Sequence, residues 1–240
     1  LLEIMDMQTN RRDPEEQSAS GDPQAPHAPD AEQRADELTT ALAEARALLK
    51  EGQLTAAVDY YREIAAAAPR DVRVRRELAH ALDRAGRTAA ALEELDRAVG
   101  LDPDSVPTLT ARAVLLTTQL RFDRAEADLR RAMKLQDGNV EVLTALGVLY
   151  CRRGRGRDAV EPLRRATELA PNMAPAHFSL GEAYTSLGQL PQALAAYERA
   201  AELDPDNWRP MKSVGMTLDS LKRPIEAAAA HRRALELQRR

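Results

Sequence analysis

From about residue 31 onward, apolar residues return every three or four positions, which places them on one face of a helix. The stretch LGEAYTSLGQLPQALAAYERAAELDP, Leu180 to Pro205, shows two such bursts separated by Gly188. Nowhere do Val, Ile, Thr and Tyr alternate with polar residues over the length of a strand. The pattern predicts an all-α chain. Shifted by 34 residues, the stretch lands on itself without insertion. Six copies result: 38–71, 72–105, 106–139, 140–173, 174–207 and 208–240. Place 8 of each copy is small: Ala45, Ala79, Ala113, Gly147, Gly181, Gly215. Place 20 is alanine in all six copies, from Ala57 to Ala227. Place 27 is Ile64 and then alanine to Ala234. Bulk recurs at place 11 (Leu48 to Leu218) and at place 24 (Tyr61, Leu95, Leu129, Leu163, Tyr197).

Each copy thus reads as two amphipathic helices. Gly52, Gly86, Gly154 and Gly188 share place 15, where the first helix must stop and turn. Pro69, Pro103, Pro171 and Pro205 end the second helix, and Asp71, Ser105, Asn139 and Asn207 stand as N-caps of the next first helix. Some positions depart from the pattern. Arg112 takes an apolar seventh place, Asp137 replaces a proline, Lys222 replaces the turn glycine, and His231 replaces a large apolar residue. Pro162 falls early in a second helix, and Asp158 with Glu161 predicts a capping box that starts this helix late. Small residues at places 8, 20 and 27 predict close helix approach, with Leu and Tyr filling the gaps.

A 34-residue helix–turn–helix with these small and large positions resembles the tetratricopeptide repeat. The resemblance covers Leu38 to Arg240. It implies a right-handed α-solenoid of stacked repeats, because one repeat cannot bury its own apolar face. Residues 31–240 are expected to form the solenoid, with the first helix starting near Asp30. Residues 1–30 hold four prolines and no helical period, and read as a disordered acidic leader.

Net charge is −4 and the sequence pI about 5.7, so no global basic field attracts nucleic acid. The charge is uneven. Residues 1–37 carry ten acidic and three basic side chains, and the rest carries 31 basic and 28 acidic, about +3. An acidic leader beside a mildly basic solenoid has the charge to fold back on it and occupy the groove, although a plain solubilising leader is the simpler reading. Aromatics are only 3% of the chain, so the core rests on Ala and Leu. Arginine outnumbers lysine 30 to 4, which points to a GC-rich, bacterial coding bias. A single cysteine excludes an internal disulfide framework. No apolar run approaches the ~20 residues of a membrane span. The expected compartment is the cytoplasm, or the periplasm if an upstream segment precedes Leu1.

Repeats that resemble this family bind peptides or protein segments along a groove lined by places 2, 5, 9, 12 and 13 of the first helices. The resemblance places Arg46 and Lys50 there in copy one, and Arg73, Arg76, His80 and Arg84 in copy two. Thr110, Val114 and Thr117 follow from copy three, and Thr144, Val148 and Cys151 from copy four. Phe178 and Glu182 come from copy five, and Lys212 and Met216 from copy six. A partner segment would set acidic groups over the N-terminal arginines and apolar groups on the middle. The carboxylate clamp of chaperone-binding relatives is not carried over: place 6 reads Ala43, Glu77, Ala111, Ala145, Ser179 and Ser213, never asparagine.

No enzyme, cofactor or metal is expected. Cys151 and His177 would sit about 12 Å apart along parallel helices. The histidines are too scattered to share a metal. The expected work is that of a non-catalytic scaffold or adaptor in a bacterial assembly of the secretion, pilus or envelope type. The alternatives are a helical-repeat RNA binder, prompted by RRGRGR (Arg152 to Arg157), and the regulatory arm of a larger enzyme. The expected partner is a protein or peptide segment with acidic and apolar groups, with nucleic acid disfavoured, no membrane span, and self-association through the terminal repeats as a further expectation.

Overall fold

The structure is a computed structural model, and it describes residues 31–239, with side chains from residue 35. The leader expected over residues 1–30, and its occupation of the groove, lie outside the described residues. Twelve helices and no strands make up the described chain. They are α1 (Ala31–Lys50), α2 (Leu54–Ala67), α3 (Val72–Arg84), α4 (Thr88–Leu101), α5 (Val106–Thr118) and α6 (Phe122–Leu135), followed by α7 (Val140–Arg152), α8 (Gly156–Leu169), α9 (Ala174–Ser186), α10 (Leu190–Leu203), α11 (Trp208–Ser220) and α12 (Pro224–Gln238). Each packs on its neighbours in sequence, and first helices also touch one another, α5 on α3 and α7 on both α5 and α9. The result is an α-solenoid.

The small places are where helices meet. The place-20 alanines are all fully buried. A Cβ added to Gly147 would stand 2.2 Å from Leu163 Cγ, one on Gly181 2.6 Å from the Tyr197 ring, and one on Gly215 2.6 Å from the His231 ring. Places 8 and 24 of a copy therefore interlock, small against large. His231 fills the place of a leucine or tyrosine with its ring and donates from Nε2 to Asp219 at 2.9 Å.

The turn between paired helices is the same in all six copies. The amide at place 16 donates to the carbonyl at place 11, at 2.8–3.0 Å from Gln53→Leu48 through Arg223→Leu218. This is the six-residue closure of a Schellman motif, which needs a left-handed residue just before the donor. Gly52, Gly86, Gly154 and Gly188 supply it with φ of 70–79°, but Leu120 (57°) and Lys222 (58°) are forced into the same conformation without glycine's freedom. Side-chain caps start three first helices: Asp71 accepts from Arg73 and Val74, Asn139 from Glu141 and Val142, and Asn207 from Arg209. Ser105 makes no cap, since its hydroxyl pairs with that of Thr108 at 2.8 Å.

A second expectation, besides the Ser105 cap, is corrected. The helix holding Pro162 does not start late: α8 begins at Gly156, in register with its sisters, and carries Pro162 as an interior residue. The turn closure Arg155→Tyr150 sets the start, and Asp158 pairs back to Arg155 Nε at 2.6 Å instead of forming a capping box. Arg112 is also explained. It forks onto Asp128 at 2.8 and 2.7 Å and reaches Asp96 at 2.8 Å, so its charge is matched where copies two, four, five and six place an aliphatic side chain.

Candidate peptide-binding groove

The first helices line one wall of the solenoid, and that wall is hollowed. Between α3, α5 and α7 lies a cavity of ≈ 550 Å³, walled by Arg76, Glu77, His80, Asp83, Thr110, Val114 and others. A second of ≈ 350 Å³ continues over Thr117, Thr144, Val148, Arg152 and Met173. The two share Thr110, Val114 and Glu141, so they form one trough. Val114 stands at the junction, 46% exposed.

The threonines bring less polarity than their names suggest. Thr110, Thr117 and Thr144 donate their hydroxyls to the carbonyls one turn back, at 2.8, 2.7 and 2.7 Å. With these bonds made, the trough wall is mainly apolar around Val114 and Val148.

The cations of the first two copies divide. Arg46 is committed to Glu77, with Nη2 at 2.9 Å from Oε1. Burial would raise the Glu77 carboxyl, but the Arg46 hydrogen bond and charge, aided by Arg76 and His80, outweigh it and hold it below its ordinary 4.5. Arg73 is committed to its own cap residue Asp71 at 2.9 Å. Among the described residues, Arg76, Arg84 and Lys50 make no ion pair. Of these, Arg76 lines the trough beside His80, while Asp83 and Glu141 share the same hollow, so this end carries both signs.

Toward the C-terminus the wall breaks into smaller hollows. Phe178 packs on Tyr197 with ring centroids 5.5 Å apart, and the Arg209 guanidinium lies 5.6 Å over Phe178. Met216, 56% exposed, lines a separate hollow of ≈ 130 Å³ with Tyr197. Lys212 sits over the Trp208 ring at 5.5 Å. Partial burial raises the Glu182 carboxyl above its ordinary 4.5 against the opposing charges of Arg209 and Arg152, although the residue keeps more than a third of its surface exposed, so the effect on stability is small. Burial, with the Glu182 charge added, pushes the Cys151 thiol up to about 12, so it stays protonated at neutral pH. His177 is turned away, donating to the Pro171 carbonyl at 3.0 Å. Among the described residues no three His, Cys, Asp or Glu side chains converge as metal ligands, and no helix is long and apolar enough to cross a membrane.

The RRGRGR turn is largely structural. Arg153 pairs with Asp123 and Glu126 at 2.8 and 2.9 Å. Arg155 pairs with Asp158 and Glu126 and lies 4.6 Å over the Tyr150 ring. These contacts remove half of the cluster that prompts an RNA reading. Glu77 and Met173 are among the trough residues that are not legible as such in the sequence. Glu77 reads there only as a missing asparagine. Met173 lies outside the first-helix places, and its signal is an apolar residue where Asp71, Ser105, Asn139 and Asn207 stand in the sister copies.

Residues 41–170 match the model described as "Cilia and flagella-associated protein 70 middle TPR-like domain", and residues 174–207 match "Tetratricopeptide repeat". The chain belongs to the tetratricopeptide-repeat family. Both matches are repeat models, and neither describes a catalytic domain. No curated protein matches the sequence. Among solved structures, a chain of the APC/C hetero-tetramer Cut9–Hcn1 is similar with TM-score 0.76 at 17% identity, over 83% of this chain and 40% of that one. Pseudomonas aeruginosa PilF is similar with TM-score 0.69 at 18% identity, over 86% of this chain and 93% of PilF. YrrB, described as "a TPR protein with an unusual peptide-binding site", gives TM-score 0.53 at 20% identity, over 74% of this chain and 92% of that one. These likenesses concern the fold. The family makes the chain a protein-interaction scaffold.

Proposed function

We propose that the chain is an adaptor that grips an extended segment of a partner protein in the trough between α3, α5 and α7. The observation that carries this reading is Val114, an exposed apolar side chain at the junction of two hollows with the unpaired Arg76 at one end. A partner segment sets apolar side chains on Val114 and Val148 and a carboxylate toward Arg76 or Arg152. The unusual peptide-binding site of YrrB lends support by analogy of fold. So does PilF for a bacterial assembly of the pilus, secretion or envelope type. We place this work in the cytoplasm, and a secretory segment encoded upstream of Leu1 would move it to the periplasm.

Fluorescence anisotropy with a panel of labelled acidic–apolar and basic–apolar peptides tests the trough. Acidic–apolar members are expected to bind, and Val114→Asp and Arg76→Glu each to weaken them about tenfold or more with helix content unchanged. Binding that ignores both substitutions places the site elsewhere. Self-association through the terminal repeat is supported by Ile225 and Leu235, both exposed on α12. Light scattering on Ile225→Lys tests it, with a fall in mass expected.

A further inference from the structure

The six turns that join paired helices fall on one edge of the solenoid, because successive first helices lie side by side. That edge is rich in exposed cations without partners. Lys50, Arg84, Arg87, Arg121, Arg157 and Lys222 are all exposed, and none makes an ion pair or a side-chain hydrogen bond among the described residues. The carboxylates on the same edge are engaged. Asp123 holds Arg153, Asp158 holds Arg155, Glu226 holds Arg223, and Asp219 accepts from His231. Asp83 accepts from the Thr88 hydroxyl and Glu51 from the Gln53 amide. Asp123, Asp158 and Glu226 are neutralised by arginines, whereas Glu51, Asp83 and Asp219 keep their charge, so the six unpaired cations leave the edge with about three net positive charges.

The opposite edge, made of the links between copies, differs. It carries six aspartates; Asp71, Asp104 and Asp137 are paired with Arg73, Arg131 and Arg165, which leaves Asp102, Asp204 and Asp206 against Arg70. The polarity across the ribbon explains how a solenoid of small net charge presents a cationic strip.

We propose that this cationic edge is a docking strip for an acidic polypeptide segment, and that its occupant is the chain's own residues 1–30. Those residues carry seven carboxylates, Asp13, Glu15 and Glu16 among them, against Arg11 and Arg12. The net of −5 meets an edge whose six unpaired cations outnumber its three unneutralised carboxylates. The tether is long enough. Residues 1–30 join α1 at Ala31, and the 20 residues of α1 put Lys50 about 30 Å away. Thirty residues span up to about 100 Å when extended. Association of this kind is electrostatic, and it weakens as salt shortens the screening length from about 10 Å at 0.1 M toward about 3 Å at 1 M. The docking stands whether or not the trough holds a peptide, since none of these six cations lines it.

The four lysines provide the test: Lys50 and Lys222 lie on the cationic edge, while Lys134 in the last turn of α6 and Lys212 on α11 lie off it. Carbodiimide coupling of the full chain in low salt, with an equal mixture of 15N-labelled and unlabelled protein, should join leader carboxylates to Lys50 within one molecule. The yield should exceed that to Lys134 at least tenfold and collapse in 0.5 M NaCl. Arg84→Glu with Arg87→Glu and Arg121→Glu should abolish it while Lys50 still reacts normally with a soluble carboxylate. Equal coupling to Lys134, or a yield untouched by the triple variant, overturns the proposal. Crosslinks mainly between labelled and unlabelled chains overturn it too, by assigning the edge to another molecule.

Discussion

Arg112→Leu restores the aliphatic residue that copies two, four and five carry at place 7, yet it should destabilise the protein. Arg112 and Asp128 are mostly buried, at 14% and 11% side-chain exposure, and are joined by two hydrogen bonds. Removing the arginine strands the Asp128 carboxylate in that site, and breaking such a pair costs about 3–5 kcal/mol. The residual exposure puts the expected cost near the lower end, about 3 kcal/mol. The double variant Arg112→Leu with Asp128→Ala recreates the Leu180 and Ala196 of copy five, a pairing the fold already accepts. It should lie within about 1 kcal/mol of the parent, because replacing both members of a buried pair is often neutral. Urea denaturation followed by circular dichroism separates the cases. With a slope of about 3 kcal/mol per M, the single variant should lose about 1 M of midpoint and the double variant should regain most of it. A single variant as stable as the parent, or a double variant no better than the single, would refute a stabilising role for the Arg112 fork.

Two further outcomes follow from local structure. Leu120→Gly and Lys222→Gly should each stabilise by about 0.5–1 kcal/mol, since relief of a left-handed side chain exceeds glycine's unfolded-state freedom. Leu120 is 67% exposed and loses little packing, and a lower urea midpoint in either variant would contradict this. The raised Glu182 carboxyl holds its proton more tightly folded than unfolded. Its contribution is therefore favourable below the ordinary glutamate value of 4.5 and is lost as pH rises through the raised value. Glu182→Gln should accordingly melt higher than the parent at pH 7 and not at pH 3.5; an advantage confined to low pH would reverse the assignment.

The repeat was legible because its small residues are geometric necessities. Ala125 and Ala159 recur 34 residues apart because a second helix crosses a first one at that point in every copy. What stayed hidden depends on contacts between copies. Arg112 reads as a departure, since Asp96 and Asp128 lie 16 residues away on either side, on two different second helices. Leu120 and Lys222 give no sign of a left-handed turn by residue type; only the period of the repeat marks their place. Pro162 misleads because the rigid Arg155→Tyr150 closure outweighs the single hydrogen bond that an interior proline forfeits. In the groove, the sequence indicates which residues share a wall. It does not show that Arg46 and Arg73 already have carboxylates, or that three threonine hydroxyls turn inward.

Methyl NMR of the full chain offers the most direct view of the trough. On titration with an acidic–apolar peptide selected by anisotropy, the Val114 and Val148 methyl signals should shift first and saturate together, while those of Ile225 on α12 stay in place. Unmoved Val114 and Val148 signals at saturation, or shifts confined to the second helices, would show that the segment binds somewhere other than the wall formed by α3, α5 and α7.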